Sequence, residues 1–349
     1  MPSVSAGSMP TRRDITAALR PFVGPANGPG LLAVVLDALL FVLFVGGSVV
    51  AEPLVLRVVF SMLAGIWIAR LFILGHDACH QSLFASPRVN EVLGRLAFLP
   101  SLTPYSLWAV GHNIAHHGFN NLRGRDYVWV PFSPEEFREL PRWRRALERI
   151  YRSGFGCGLY YLLELWWKKL YFPNRNHVGA RRSTFVLDGL LVSAFLAVWV
   201  TFLLWLAALE GRSTLEAMVF GLIVPFALWN CLMGFVIYAH HTAPDMDWFD
   251  SKQEWSQSRV NLTGTISMYI PVLGTLLHNI FDHPAHHADT RIPFRRLPDA
   301  QRALEQAFPQ LFTQRSFSFR GYLETVRTCK LFDYQSKQWC DFSASGVGT

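Results

Sequence analysis

Eight of the twelve histidines in this chain lie in three short clusters whose spacing suits metal binding. Imidazole is a common ligand of iron, zinc and copper, and rings three to five residues apart lie on one face of a helix. A single histidine is more often a structural hydrogen-bonding residue, but three clusters in one chain favour metal ligands. The sequence therefore predicts that the three clusters converge. Their members are His76, His80, His112, His116, His117, His283, His286 and His287.

The number of clustered histidines restricts the kind of metal site. A structural zinc ion binds four ligands, which usually include cysteine, so eight histidines exceed one such site. A transmembrane haem would need histidines inside the apolar stretches of the chain, and the interiors of those stretches contain none. Two metal ions with open coordination positions remain. Ligand spacing alone does not distinguish a pair of irons from a pair of zincs.

Long apolar stretches must position these histidines. Of the 349 residues, 51% are hydrophobic and 16% are charged, and the mean hydropathy is +0.22, so we expect an integral membrane protein. Four stretches are long enough to cross a bilayer, at about residues 31–50, 54–74, 185–209 and 215–239. Short connections after the first and third predict an all-α fold with four transmembrane helices in two hairpins. A cytoplasmic helical cap and interfacial helices would carry the histidines.

The distribution of basic residues predicts the orientation in the membrane. Residues 1–30, 75–184 and 241–349 hold 29 of the 32 lysines and arginines. The positive-inside rule then places both termini and all the histidines in the cytoplasm, at a bacterial inner membrane or an equivalent one. The net charge of +7 fits attraction to anionic lipids better than nucleic-acid binding, for which the sequence carries no motif.

The predicted spans divide the chain into three parts. We expect a cytoplasmic N-terminal tail at residues 1–30, a membrane catalytic domain at 31–298 and a cytoplasmic C-terminal tail at 299–349. The five cysteines are scattered and form no C-x-x-C pair, which argues against a disulfide framework. A reduced, cytoplasmic catalytic face is expected.

Three further segments have membrane-surface character. Residues 96–110 and 263–280 are apolar but interrupted by proline or glycine, and each ends at a histidine cluster. They are either interfacial helices or buried helices beneath a soluble cap. Residues 158–172 include Trp166 and Trp167 followed by two lysines, a composition typical of an amphipathic helix anchored at the bilayer surface.

The clusters belong to longer motifs. His76-Asp-Ala-Cys-His80 follows Gly75, Tyr238-Ala-His-His-Thr242 ends the fourth stretch, and His278-Asn-Ile-Phe-Asp-His-Pro-Ala-His-His287 precedes Ile292-Pro293. Together with the four spans, these motifs resemble the membrane fatty acid desaturase and hydroxylase superfamily, and bacterial acyl-lipid desaturases in particular. The resemblance extends from the second span to about Pro298. The second cluster has three residues between its first two histidines where many relatives have two.

The resemblance implies that the eight clustered histidines bind two iron ions, which cycle between Fe2+ and Fe3+. A further histidine in or after the fourth span commonly completes the set in this family, and His241 is the expected ninth ligand. His240 is its competitor, because adjacent residues on a helix point about 100° apart and only one of the two should face the metals.

Several neighbouring side chains are candidates for supporting roles. Asp77 and Asp282 each adjoin a cluster histidine and could orient its imidazole by accepting the other N–H; either could instead be a surface carboxylate or a helix cap. Asn113 and Asn279 could hydrogen-bond a metal-bound water or be plain polar packing. His278 lies close enough to the third cluster to support it. We expect an apolar tunnel that holds an acyl chain. The candidates for its walls, which could equally be ordinary core residues, are Trp108, Phe119, Trp229, Phe235 and Tyr238.

The activity implied by the resemblance is the abstraction of hydrogen from an acyl-chain methylene with O2 as co-substrate, in a fatty acid or lipid. Desaturation is the expected outcome, and hydroxylation or oxidative decarboxylation to a terminal alkene are the alternatives. The tail after Pro298 has no haem or iron–sulfur pattern, so electrons should come from a separate donor such as a ferredoxin with its reductase.

Two hypotheses from other functional classes have weaker support. A di-zinc membrane hydrolase would fit the ligands but would need neither oxygen nor a reductant. A non-catalytic metal transporter would need ligands or carboxylates along the spans, and we count only one acidic residue within the four, Asp188 near the start of the third.

Overall fold

A computed structural model describes residues 10–126, 128–173, 183–258, 260–312 and 314–346. This part of the chain is mostly helical, and three of its helical stretches contain π-helical turns, at Val110–His116, Tyr161–Tyr171 and Val219–Ile223. The α-helices, in chain order, are α1 (Arg12–Leu19), α2 (Asn27–Val50), α3 (Leu54–Cys79), α4 (Pro87–Phe98), α5 (Tyr105–Ala109), α6 (His117–Phe119), α7 (Pro134–Glu139), α8 (Arg142–Tyr151), α9 (Cys157–Tyr160), α10 (Ser183–Leu209), α11 (Thr214–Met218), α12 (Val224–His241), α13 (Lys252–Gln257), α14 (Val260–Thr263), α15 (Leu273–Leu276), α16 (His283–Ala288), α17 (Leu297–Ala307) and α18 (Phe319–Thr328).

Four helices are long and apolar enough to cross a membrane, as the sequence predicts. They are α2, α3, α10 and the continuous helix Thr214–His241, which comprises α11, a π-helical turn and α12. The outward faces of α2 and α10 expose apolar side chains such as Leu39 (63% exposed) and Val198 (66%). Exposed leucine and valine along whole helices are typical of contact with lipid.

The two short connections between these helices lie next to each other. Arg57, after the first connection, pairs with Glu216 at 3.1 Å. Arg212, in the second connection, donates a hydrogen bond to the Val50 carbonyl at 3.4 Å. The carboxyl ends of α3 and α12 therefore lie at the opposite end of the bundle, and they carry His76 and His241.

Glycine residues allow the helix Thr214–His241 to pack closely against the segment that begins with α9. A Cβ at Gly234 of α12 would lie 2.2 Å from the Cys157 carbonyl oxygen, and a Cβ at Gly158 would lie 2.7 Å from the Cys231 Cα. The two helices thus meet backbone to backbone, as small residues permit in membrane bundles. This contact positions α9 and the following π-helix beneath the histidines.

Besides Asp77 near the end of α3, two carboxylates are buried within the spans, and each of the two is paired with arginine. Asp188 of α10 accepts from Arg95 Nε at 2.7 Å and from the Ser106 backbone N–H at 2.8 Å. Asp37 of α2 accepts from Arg70 Nε at 3.0 Å. The sequence-based count of Asp188 as the one acidic residue in the spans is wrong, because Asp37 lies in the middle of the first.

The expectation of an all-α fold needs a correction. Two small sheets are present: β1 (Ser267–Tyr269) pairs in parallel with β2 (Gln314–Ser316), and β3 (Leu331–Asp333) pairs antiparallel with β4 (Gln338–Cys340). In the register of the second sheet, Phe332 lies opposite Trp339.

The terminal segments are packed on the rest of the protein where they are described, instead of extending as tails. Ile15 and Leu19 of α1 share a buried cluster with Leu304 of α17. Tyr322 of α18 contacts the ring of Tyr238 at a centroid distance of 5.9 Å. Apolar side chains in both segments are buried by these contacts, which is why residues 299–346 fold onto the helices.

The segments predicted to have membrane-surface character differ in outcome. Residues 263–280 do not form one helix, because Pro271 and the left-handed backbone of Val272 (φ 66°) interrupt it between β1 and α15. Residues 96–110 break at Pro100 and Pro104 into α4, a 3-10 turn and α5. The helix predicted at 158–172 forms, but Trp166 is buried and donates to the Leu102 carbonyl at 3.0 Å, so only its neighbour Trp167 is exposed.

The backbone contact at Gly234 generates a stability prediction. Gly234→Ala places a methyl group against a carbonyl oxygen that cannot move away, so we expect a loss of about 1–3 kcal/mol of stability and a lower thermal midpoint. Gly189→Ala, in open space on α10, is the matched control and should leave the midpoint unchanged. Equal midpoints for the two variants in the same detergent would contradict the close contact.

Candidate metal centre

Nine histidines converge at the end of the bundle where α3 and α12 finish, and they form two adjacent sets. Within each set, one ring nitrogen from every member lies within 4.8 Å of the others. The five-histidine set contains His76, His80, His112, His117 and His286, and the four-histidine set contains His116, His241, His283 and His287. These are the eight cluster histidines together with His241, so the structure brings together every residue that the sequence nominates as a ligand.

The spacing of the nitrogen atoms fits coordination to metal. Adjacent ligands at right angles around an ion, each about 2.1 Å from it, have nitrogens about 3.0 Å apart. In the five-histidine set, His112 Nε2 lies 2.8 Å from His76 Nε2 and 3.0 Å from His117 Nε2. In the four-histidine set, His283 Nε2 lies 3.2 Å from His241 Nε2. The rings therefore point at common centres.

A π-helix decides how the second cluster is shared. The N–H of His117 bonds to the carbonyl of His112, five residues back, which is π-helical hydrogen bonding. Residues five apart thus lie on one face, so His112 and His117 face the five-histidine set while His116 faces the other. The expectation that His112 and His116 share a face is wrong, because it assumed α-helical geometry.

The third cluster is divided as well. On α16, His286 faces the five-histidine set, whereas His283 and His287 face the four-histidine set. The stacked rings of His117 and His287, with centroids 4.1 Å apart, join the two sets. The short helix α16 therefore contributes histidines to both sets.

The chemistry of the rings suits ligands. Burial, with further lowering by neighbouring imidazoles, holds the pKa of His112, His117 and His286 well below the usual range, so these rings are neutral and keep a lone pair. The Nε2 atoms of His80 and His287 are buried and have no hydrogen-bond partner among the described residues. Such nitrogens cost free energy unless they accept a bond, and a metal ion in each set would provide one.

Two carboxylates orient rings in the two sets. Asp77 Oδ1 lies 3.3 Å from His76 Nδ1, while its other oxygen accepts the Phe294 backbone N–H at 2.8 Å. Asp126 Oδ1 lies 3.1 Å from His116 Nδ1, and Asp126 also accepts the backbone N–H of Asn121. Sequence reasoning names Asp77 but misses Asp126, because the loop that returns Asp126 to His116 has no local signature.

The other three polar candidates contact protein groups away from the nitrogen sets. Asn113 donates to the Cys79 carbonyl at 2.9 Å, and Asn279 donates to the Phe294 carbonyl at 3.1 Å. Asp282 precedes α16 and makes no hydrogen bond to a histidine within the part of the chain that the structure describes. Burial, with Glu305 nearby, raises the pKa of Asp282 to about 6. The contacts of Asn113 and Asn279 connect segments that carry the clusters.

The two remaining histidine candidates have different environments. His278 Nε2 lies 2.8 Å from Asp37 Oδ2, so it extends the Asp37–Arg70 pair to the segment before α16. His240 stacks on His283 with centroids 4.1 Å apart and contributes to neither nitrogen set. Both of its ring nitrogens are buried without a partner in the described chain.

A narrow apolar cavity of about 50 Å³ adjoins both sets. Of the five predicted wall residues, only Trp108 lines it; Phe119, Trp229, Phe235 and Tyr238 pack elsewhere in the core. On α12 the lining face carries Met233 and Val236, which lie seven and four residues before His240. Helical spacing counted back from His240 is the signal that would have found this face. The other apolar walls include Phe72, Ile73, Tyr161, Leu165, Leu170 and Ile280.

Comparison with known proteins agrees with this geometry. The chain is 27% identical over 284 residues to the chloroplastic omega-6 fatty acid desaturase of Glycine max, covering 80% of this chain and 64% of that protein, just under two thirds of its length. It is 27% identical to the sn-1 oleoyl-lipid 12-desaturase of a Picosynechococcus species (78% of this chain, 75% of the relative). A protein named fatty acid desaturase from Bacillus subtilis is 26% identical over 83% of this chain and 78% of its own length.

A family model described as fatty acid desaturase matches residues 53–318. The matched region contains α3, α12, α16 and all nine histidines of the two sets. Because the match covers most of the chain and every segment that builds the site, the chain belongs to the fatty acid desaturase family.

Proposed function

We propose that this protein is an oxygen-dependent membrane oxidoreductase that uses two iron ions to introduce a double bond into the acyl chain of a fatty acid or lipid. The observation that carries the proposal is the pair of histidine sets beside an apolar cavity, in a chain of the fatty acid desaturase family. The relatives' names add acyl-chain desaturation as the reaction.

The five-histidine set would hold one ion and the four-histidine set the other. Nitrogen ligands suit both iron and zinc, but desaturation is an oxidation and zinc has no redox chemistry, so iron is the metal that fits the family. When bound, the two irons would supply, with O2, the oxidising power that removes hydrogen from an unactivated methylene. The nine histidines would bind and position the irons, and the carboxylates of Asp77 and Asp126 orient His76 and His116.

The cavity places a methylene against the two sets and keeps water away from it. Trp108, Val236 and Ile280 line it together with His112 and His241, so an acyl chain inside would touch apolar walls on one side and ligand imidazoles on the other. A long chain needs more room than the cavity has, so the wall side chains would shift as it enters. Excluding water protects a reactive oxidant from side reactions.

The topology follows from the charge distribution. We infer two transmembrane hairpins, α2 with α3 and α10 with the helix Thr214–His241, with both termini and the metal centre in the cytoplasm at a bacterial inner membrane or an equivalent one. The terminal segments and residues 84–173 would then form the cytoplasmic cap. Electrons would come from a separate donor such as a ferredoxin with its reductase, attracted by the basic cytoplasmic face.

Two rival functions find less support. A metal transporter needs free ligands or carboxylates along the spans, but Asp37 and Asp188 are each held by an arginine. A di-zinc hydrolase needs a polar route for water, whereas the cavity beside the sets is mostly apolar. Hydroxylation and oxidative decarboxylation use the same site, and product analysis distinguishes them from desaturation.

The ligand sets generate a prediction at two adjacent histidines. Purified full-length protein should hold about two irons per chain, and His241→Gln should lower this to about one, because the four-histidine set loses a member. His240→Gln, its matched control, should keep about two. Iron is measured by elemental analysis of protein in detergent. Loss of iron from the His240 variant with retention in the His241 variant would reverse the assignment.

Asp126 generates a second prediction. Asp126→Asn keeps the shape of the side chain but weakens the acceptor that orients His116. We therefore expect a loss of about 10–100-fold in iron affinity or in activity. Asp250→Asn, an exposed carboxylate nearby, is the control and should match the parent protein. The measurements are iron retention against a chelator and substrate-dependent oxygen uptake. Indistinguishable behaviour of the two variants would show that Asp126 has no orienting role.

The product itself is the third prediction. Cells that make the protein should accumulate acyl chains with one additional double bond, detected by mass spectrometry of lipids, free fatty acids and volatile hydrocarbons. Cells that make the His112→Ala variant are the control. Hydroxylated chains or terminal alkenes would show that the reaction is hydroxylation or oxidative decarboxylation instead of desaturation. An unchanged profile under oxygen and with a reductant would refute the proposed function.

A further inference from the structure

A second cavity, of about 520 Å³, lies outside the metal centre and has a different character. Five cationic side chains line it: Arg123, Arg125, Arg144, Arg152 and Lys169. Four carboxylates also line it, so the cationic groups are in excess. We call this cavity the basic cleft.

The carboxylates of the basic cleft are engaged by protein groups. Glu136 pairs with Arg123, and Glu148 pairs with Arg144 at 2.6 Å. Glu164 accepts from Arg144 and from the Nζ of Lys168. The fourth carboxylate, Asp126, orients the His116 ring. Each carboxylate of the cleft therefore has a protein partner, and the lining carries one more cationic side chain than carboxylates.

Arg152 supplies a buried donor to the cleft. Its side chain is 1% exposed; Nε donates to Glu148 at 3.3 Å and Nη2 donates to the Val130 carbonyl at 3.0 Å. The Nη1 atom is buried and has no hydrogen-bond partner within the described ranges. A buried guanidinium N–H without an acceptor is costly, and an anionic oxygen in the cleft would satisfy it.

Lys169 is the residue that brings positive charge closest to the apolar cavity. It is half-buried, and burial lowers its pKa to about 8 in spite of the nearby Asp126 and Glu164 carboxylates. The next residue, Leu170, lines the apolar cavity. An anion in the cleft would stabilise the charged form of Lys169, which desolvation disfavours.

The basic cleft and the apolar cavity share one wall. Ala115, Glu164 and Lys169 line the cleft, and the residue after each, His116, Leu165 and Leu170, lines the cavity. A charged compartment thus lies directly beside an apolar compartment that reaches the metal centre. This arrangement complements an amphiphile with an anionic head and a long apolar chain.

We propose that the basic cleft binds the anionic head of the acyl substrate, a carboxylate or a phosphate, while the acyl chain occupies the apolar cavity beside the metal centre. The inference rests on the proposed function and names its substrate class. Lys169 and Arg125 act as specificity-determining residues, and the distance between the head and the histidine sets selects which methylene reacts.

The test measures binding by the full-length protein in a neutral detergent. The probes are stearate against methyl stearate, and distearoyl phosphatidate against distearoylglycerol, so each pair differs in charge and keeps its acyl chains. The variants are Lys169→Gln and, independently, Arg125→Gln, which is exposed and should not disturb folding. Lys252→Gln is the control, because it removes the same charge from an exposed position outside the cleft. Thermal midpoints and iron content establish that each variant is folded.

We expect the anionic member of one pair to bind about tenfold more tightly than its neutral counterpart, and we expect both cleft variants, but not Lys252→Gln, to abolish the difference. A difference in the stearate pair identifies a carboxylate head, and a difference in the phosphatidate pair identifies a phosphate. Equal binding within both pairs, or a difference that survives both cleft variants, would overturn the inference. Charge-dependent binding without any change in the acyl chain would contradict the proposed function alone.

Discussion

The convergence of nine imidazoles in a small and mostly buried volume is the constraint on which the rest of the structure depends. Charged rings at the observed nitrogen separations of 2.8–3.2 Å would repel one another, and buried neutral nitrogens without partners are costly. Metal ions would resolve both difficulties by accepting the lone pairs. Binding of metal would then be coupled to the stability of the fold, as in other metalloproteins.

The membrane helices and buried ion pairs serve this convergence. The ends of α3 and α12 supply His76, His80 and His241, and the other six histidines come from the π-helical segment Val110–His116, α6 and α16. His278, paired with Asp37 of the first span, ties the segment before α16 to the bundle. A buried pair of this kind adds little net stability, but it specifies one arrangement, which a divided metal centre requires.

Much of this could be predicted from the sequence, for reasons that are local. Apolar length identifies the four spans, and short spacing identifies the histidines that come together. The division of the clusters into two sets could not be predicted, because the π-helix at Val110–His116 changes which residues share a face. The role of Asp126, the walls of the cavity and the packing of residues 299–346 depend on tertiary contacts. The choice of aromatic wall residues failed because size was considered before helical phase.

The central claim is that the two histidine sets hold two irons, one in each. Anomalous X-ray diffraction from crystals of the full chain, with data on both sides of the iron edge and of the zinc edge, tests it directly. We expect two iron peaks, one among His76, His80, His112, His117 and His286 and the other among His116, His241, His283 and His287. A single peak, or two peaks that respond only at the zinc edge in protein that is active, would contradict it.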